Sequence, residues 1–174
     1  VKILNCSLNT SHRYIRTYYA RMYEAKFLMG AIAGAMAENG QLAYIADYPI
    51  FGTIANINAF ALGAKMVNPR AQVYLEWSTL KDVDLGIAMD NVIKKGVTVV
   101  SGRDMVIPED ASRYFGLYHI EKEGPRNLAM PLWHWGKFYE QLIRTIMDGT
   151  WKYDDNKDET KAINYWWGLS AEVI

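Results

Sequence analysis

Groups able to recognise a ligand concentrate in four short stretches: ADYPIFG at 46–52, EWSTLKD at 76–82, SGRDM at 101–105 and HIEKEG at 119–124. In them Tyr48, Phe51 and Trp77 carry flat rings that can stack on a planar ligand. Asp47, Glu76, Arg103, Asp104 and Glu121 supply charged groups that can fix its polar edges. Stacking joined to directed hydrogen bonds is the chemistry of binding. No nucleophile with its own base is among these residues. Strand-end rings also pack and loop charges also stay solvated, so the expectation rests on Asp47, Tyr48, Phe51, Trp77, Arg103, Asp104 and Glu121 acting as a set.

Patterns for catalysis are sparse. The chain has no G-x-S-x-G elbow, no Walker loop, no G-x-G-x-x-G and no H-E-x-x-H. His119-Ile120-Glu121 sets an imidazole beside a carboxylate, which suits acid/base work, although such a histidine more often caps a strand or faces solvent. The acidic run KYDDNKDETK at 152–161 lacks the glycine turn and closing glutamate of a calcium loop and reads as a mobile surface loop. The single Cys6 has no partner for a disulfide, and no Cys/His spacing resembles a zinc site. The expectation is therefore a binding protein without catalytic residues, metal or cofactor.

The four stretches need strands to end where they begin. QLAYIA (41–46), AQVYLEW (71–77) and VTVVSG (97–102) read as short strands. YFGLYHI (114–120) reads as a fourth and NLAMPLW (127–133) as a fifth. Helical spacing marks 51–67, 80–96 and 134–149, with a short helix over 108–114. Strands separated by helices imply βαβ units, hence an α/β fold with a mostly parallel sheet and helices on both faces. Ligands of such sheets sit where strands end and the next loops start.

The most apolar stretch, YYARMYEAKFLMGAIAGAMAENG at 18–40, reads as a helix covering one face of that sheet. Its uncharged run extends only from Phe27 to Ala37, too short for a spanning helix of roughly 20 apolar residues. Gly30 and Gly34 lie four apart, a spacing that lets a helix lie close against a neighbour. Asn39-Gly40 ends it.

With 174 residues, 51% of them hydrophobic, the chain can bury a real core. Its 19 basic and 19 acidic side chains cancel, which removes the electrostatic reason to expect nucleic acid or an anionic membrane as partner. The sequence opens VKILNC, without an initiator methionine or a leader, and reads as a piece of a longer protein. At that opening Cys6 fits a buried strand end better than a lipid-modified terminus.

Several runs together resemble the basic membrane protein (Bmp/Med/PnrA-like) family of ABC-transporter substrate-binding lipoproteins. They are the R-x-Y-x-A-x-x-x-x-G core from Arg21 to Gly30, Asn58-Ala59-Phe60 with Leu62-Gly63-Ala64, Val67-Asn68-Pro69, PLWHWGKFYEQLIRTIMDGTW and the closing YWWGLSAEVI. The resemblance implies one lobe of a type I periplasmic-binding-protein fold that closes with a second lobe on a purine nucleoside or related small molecule. It implies an extracytoplasmic, membrane-anchored lipoprotein that hands its ligand to an ABC permease. On that reading residues 1–17 are the end of the first lobe and a hinge crossing, 18–149 the second lobe and 150–174 a return segment. The missing first lobe is an expected partner, and the hinge side of 18–27 and 133–135, left uncovered without it, offers a face for a homodimer of the fragment. By position the aromatic loop maps to Tyr48–Phe51, the tryptophan to Trp77 and an acidic residue to Asp104, with Glu121 or Glu123 standing where nucleoside binders resemble Y-N-S-D. The alternative is a Med-like sensory or regulatory module without transport.

Overall fold

The computed structural model describes residues 3–6, 15–79, 84–102, 116–150 and 165–174, and the chain divides into two compact units. Tyr23–Pro131 form the larger; Val1–Met22 with Leu132–Ile174 form the smaller.

The larger unit is built on a five-stranded sheet. Its strands are β3 (Gln41–Ala46), β4 (Gln72–Trp77), β5 (Val99–Ser101), β6 (Leu117–Glu121) and β7 (Gly124–Ala129), in the spatial order β4-β3-β5-β6-β7. β3 lies between β4 and β5, parallel to both. Its residues alternate between two cores, as the two-residue period of a strand requires. Leu42, Tyr44 and Ala46 face helices α1 (Met22–Met36) and α2 (Phe51–Val67), where they meet Met29, Ala33, Phe60 and Ala64. Ala43 and Ile45 face α3 (Leu85–Lys94) through Ala88 and Val92. Both faces of β3 are dry, so it reads as a continuous apolar run, as parallel strands do.

Glycine decides how α1 and α2 meet. A Cβ on Gly30 would strike the Phe60 carbonyl, one on Gly34 the Ala64 carbonyl, and one on Gly63 the Phe27 carbonyl. The expected close approach is thus made against α2, within this unit. α3 starts on Asp84, whose carboxylate accepts from the Ile87 amide at 2.8 Å, and ends at Gly96 in the left-handed conformation (φ 73°).

Two expectations fail on the far side of the sheet. β6 runs antiparallel to β5, and β7 antiparallel to β6. Only Lys122 and Glu123 separate them, far fewer than the dozen or more residues a parallel crossover needs, so a hairpin is the available connection. The last strand accordingly occupies 124–129, where 127–133 was expected.

The smaller unit joins the two ends of the chain. β1 (Ile3–Cys6), β2 (Ile15–Ala20) and β8 (Tyr165–Trp167) form an all-parallel sheet in the order β1-β2-β8. Helix α4 (Trp135–Met147) and a 3-10 turn at Leu169–Ala171 complete it. Tyr18, Ala20, Phe138, Leu142 and Val173 make its core, with the Tyr18 and Phe138 rings stacked at 4.5 Å. Residues 18–20 therefore lie in a strand, where the sequence suggested a helix, because Tyr18 and Ala20 alternate inward against α4. For the same reason α4, expected within the 18–149 lobe, belongs with the N-terminal strands. Cys6, expected buried, ends β1 exposed. The expected short helix at 108–114 and the acidic run at 152–161 lie outside the described residues.

Candidate ligand-binding site

In the larger unit three parallel strands end side by side: Ala46 pairs with Trp77, and Tyr44 with Ser101. The residues that follow are Asp47, Ser78 and Gly102, so the expected loops after β3, β4 and β5 start from one edge of the sheet. Asp47 is 4% exposed. Its carboxylate accepts from Ser78 Oγ at 3.1 Å, its carbonyl accepts from Thr79 Oγ1, and the Ser78 amide donates to the Ala46 carbonyl at 2.8 Å. Asp47 is thus the clasp between the ends of β3 and β4. Next to it Tyr48 projects, 52% exposed, with Ile50 equally open. Trp77 is half-buried, one side packed on the core beneath α1 and α2. Phe51 begins α2 on this edge; its side chain lies outside the described part.

The edge also holds a residue that the loop-based reading missed. Lys26 on α1 is 1% exposed, donates from Nζ to Ser101 Oγ at 3.3 Å and lies 5.0 Å from the Tyr44 ring centroid. A buried ammonium is costly unless held by partners, so its place under the end of β5 is specific. The signal in the sequence was a lone cation at the head of an apolar helix run, which solvent exposure explains equally well. Thr53 and Asn56 add buried polar groups on the first turns of α2.

Other expected residues are placed elsewhere. Glu76 points to the α3 side and accepts from Lys95 at 3.1 Å and Asn91 at 3.5 Å. Glu121 sits at the opposite end of the sheet from Tyr48, because β6 is reversed and Val99 pairs with His119. There it accepts from Arg126 Nε at 2.6 Å and has His119 Nδ1 at 3.5 Å. The Arg126 hydrogen bond, more than its charge, holds the Glu121 carboxyl below the usual carboxylate range, with His119 adding a smaller part. Glu121 is therefore a brace of the β6–β7 hairpin. Arg103 and Asp104 lie outside the described residues. Among the described residues no cluster of three or more metal-ligating side chains exists, and no helix is long and apolar enough to cross a membrane.

The described ends of the three parallel strands set an open aromatic side chain and hydrogen-bonding groups on one edge of the sheet, the edge at which α/β sheets of this kind take small ligands. Residues 9–108 match the model of the Bmp family, described as "ABC transporter substrate-binding protein PnrA-like". The match takes in more than half of the chain, and the chain belongs to this family. It is 29% identical over 166 residues to a putative ABC transporter glucose-binding protein of Haloferax volcanii, covering 90% of this chain and 40% of that protein. It is 28% identical over 170 residues to a purine-binding protein of Brucella abortus, covering 90% of this chain and 45% of that one. The chain thus spans less than half the length of these curated relatives. Among solved structures it resembles a transcriptional activator of the comK gene from Bacillus halodurans, with a TM-score of 0.59 at 12% identity over 99% of this chain and 61% of the other. That likeness is one of fold.

Proposed function

We propose that this chain is part of the solute-binding component of an ABC-type uptake system, and that it takes a purine nucleoside or a related small molecule without altering it. Tyr48 carries the reading: an open ring just past the end of β3, next in the chain to the Asp47 clasp, on the strand-end edge where Ala46 pairs with half-buried Trp77. The ring offers a stacking face. The neighbouring backbone is held by Ser78 and Thr79, so little order is lost when a ligand arrives. Membership of the Bmp family supports the transport role, and the purine-binding relative supports a nucleobase, while the glucose-binding relative makes a sugar the competing ligand. In this reading a first lobe completes the site, the assembled protein is an extracytoplasmic lipoprotein, and an ABC permease receives the ligand.

A thermal-shift screen of the full-length protein against nucleosides, free bases and sugars tests this. A ligand at about a hundred times its Kd stabilises by ~2.7 kcal/mol, a rise of several degrees. A rise with adenosine or guanosine is expected. A rise with sugars alone replaces the ligand, and conversion of a bound nucleoside to product overturns the reading of a protein that leaves its ligand intact.

A further inference from the structure

The larger unit is apolar at one end of its sheet and polar at the other. Ala37, Leu42, Ala64, Ala71 and Val99 fill the end where the strands begin. At the end where β3 and β5 finish lie Lys26, Asp47, Thr53, Asn56 and Ser101. Among the described residues these are all the buried polar or charged side chains of the larger unit.

Helices α1 and α2 both start at that polar end. Gly30 lies against the backbone of Phe60 and Gly34 against that of Ala64, so the two helices run parallel and in step. One turn nearer their heads, the same step sets Lys26 level with Asn56. Lys26 Nζ donates to Ser101 Oγ at 3.3 Å and lies 5.0 Å from the Tyr44 ring centroid. Ser101 is the last residue of β5 and pairs with Tyr44 on β3, so one ammonium links α1 to the ends of two strands.

Burying a charge costs free energy even when it is well partnered, and an apolar side chain of similar length would fill the same space at less cost. The opposite end of the core shows that packing α1 and α2 on this sheet does not call for polar groups. A polar cluster kept at the edge where α/β sheets take ligands is accounted for by binding, because the groups of a site hold their geometry only when supported from behind.

We propose that Lys26 is a positioning residue of the ligand site: by holding Ser101 it fixes the end of β5 against the end of β3 and the head of α1, on the edge where Tyr48 is open. The inference rests on the solute-binding reading above and names the support of that same site. At 1% exposure Lys26 acts through Ser101 and not by touching the ligand. Without that bond the strand end loosens, and ordering it again on binding lowers affinity.

The test is titration calorimetry of the full-length protein with adenosine and, separately, with glucose, using wild type, K26M, S101A, the K26M/S101A double variant and R126Q. K26M keeps the length and removes the charge; S101A keeps the ammonium and removes its acceptor. Arg126 is the control site because it lies at the opposite end of the same sheet, across from His119 and Val99. A hydrogen bond to a charged group corresponds to about tenfold or more in Kd. K26M and S101A are each expected to weaken whichever probe binds by about that factor. The double variant is expected to lose no more than the larger single loss, since both changes remove one contact. R126Q is expected to bind as wild type. Urea midpoints show whether each variant is folded, and S101A carries the test if K26M is not. Wild-type affinity in folded K26M or S101A, or losses that add in the double variant, overturns the positioning role while the solute-binding reading stands. If wild type binds neither probe, both fall.

Discussion

Neighbouring residues of one loop have taken opposite roles. The sequence suggests that Asp47 and Tyr48 contact a ligand together, yet the aspartate is turned inward on Ser78 and the tyrosine outward to solvent. A carboxylate in a loop looks the same in sequence whether it serves water, ligand or a neighbouring hydroxyl; burial decides. Glu121 teaches the same lesson with a measurable consequence. Its folded carboxyl titrates below the ordinary glutamate value of 4.5, first through the Arg126 hydrogen bond. A depressed folded value means that the stabilisation is present above the ordinary carboxylate range and is lost as pH falls through the lowered value. Side-chain NMR titration should place the Glu121 midpoint below that of a free glutamate, and R126Q should bring it back towards 4.5. An unmoved midpoint in R126Q would mean that the pair does not persist in solution.

Among the elements, the helices and the parallel run of β3, β4 and β5 were readable, and the reversal of β6 and β7 was not. The α1 and α2 patterns, with Asn39-Gly40 and Asn68-Pro69 as stops, lead to helices at Met22–Met36 and Phe51–Val67. The G-x-x-x-G of α1 implied a close neighbour, and α2 is that neighbour. Substituting Gly30 by alanine should cost about 2 kcal/mol, because the added methyl meets the Phe60 backbone, which cannot rotate away. Gly136 near the start of α4 has open space where a methyl would stand, and G136A should instead gain about 0.5 kcal/mol from reduced freedom of the unfolded chain. Urea unfolding measures both; equal signs would refute the packing account. The β6–β7 hairpin was legible in principle from its short connection, but the alternation of helices and strands upstream suggested a continued parallel series.

The whole molecule is organised by which parts of the chain find each other. Val173, fully buried, sits with Tyr18 and Phe138, so the smaller unit depends on residues near both ends of the sequence. V173D would bury an unpaired carboxylate there, at about 3 kcal/mol or more. Hydrogen exchange should then show amides of β2 and α4 losing protection while those of β3 and β5 keep theirs. Loss of protection in all four at once would show that the two units unfold as one.

Taken by itself, the sequence determined the α/β class, the central apolar strand at 41–46, the helices that flank it and the likeness to the Bmp family. These follow from local periodicity and short motifs, which need no knowledge of distant residues. Only the tertiary structure decided that the last two strands of the larger sheet reverse, that α4 joins the N-terminal strands, and that Glu121 lies at the far end from Tyr48. It also decided that Lys26 is buried under β5 and that Trp133 stands outward on Trp135. The β6–β7 turn and the Trp133–Trp135 stack are local, but the rest depends on pairing between residues far apart in the chain, and no local spacing records which face of an element will meet which partner.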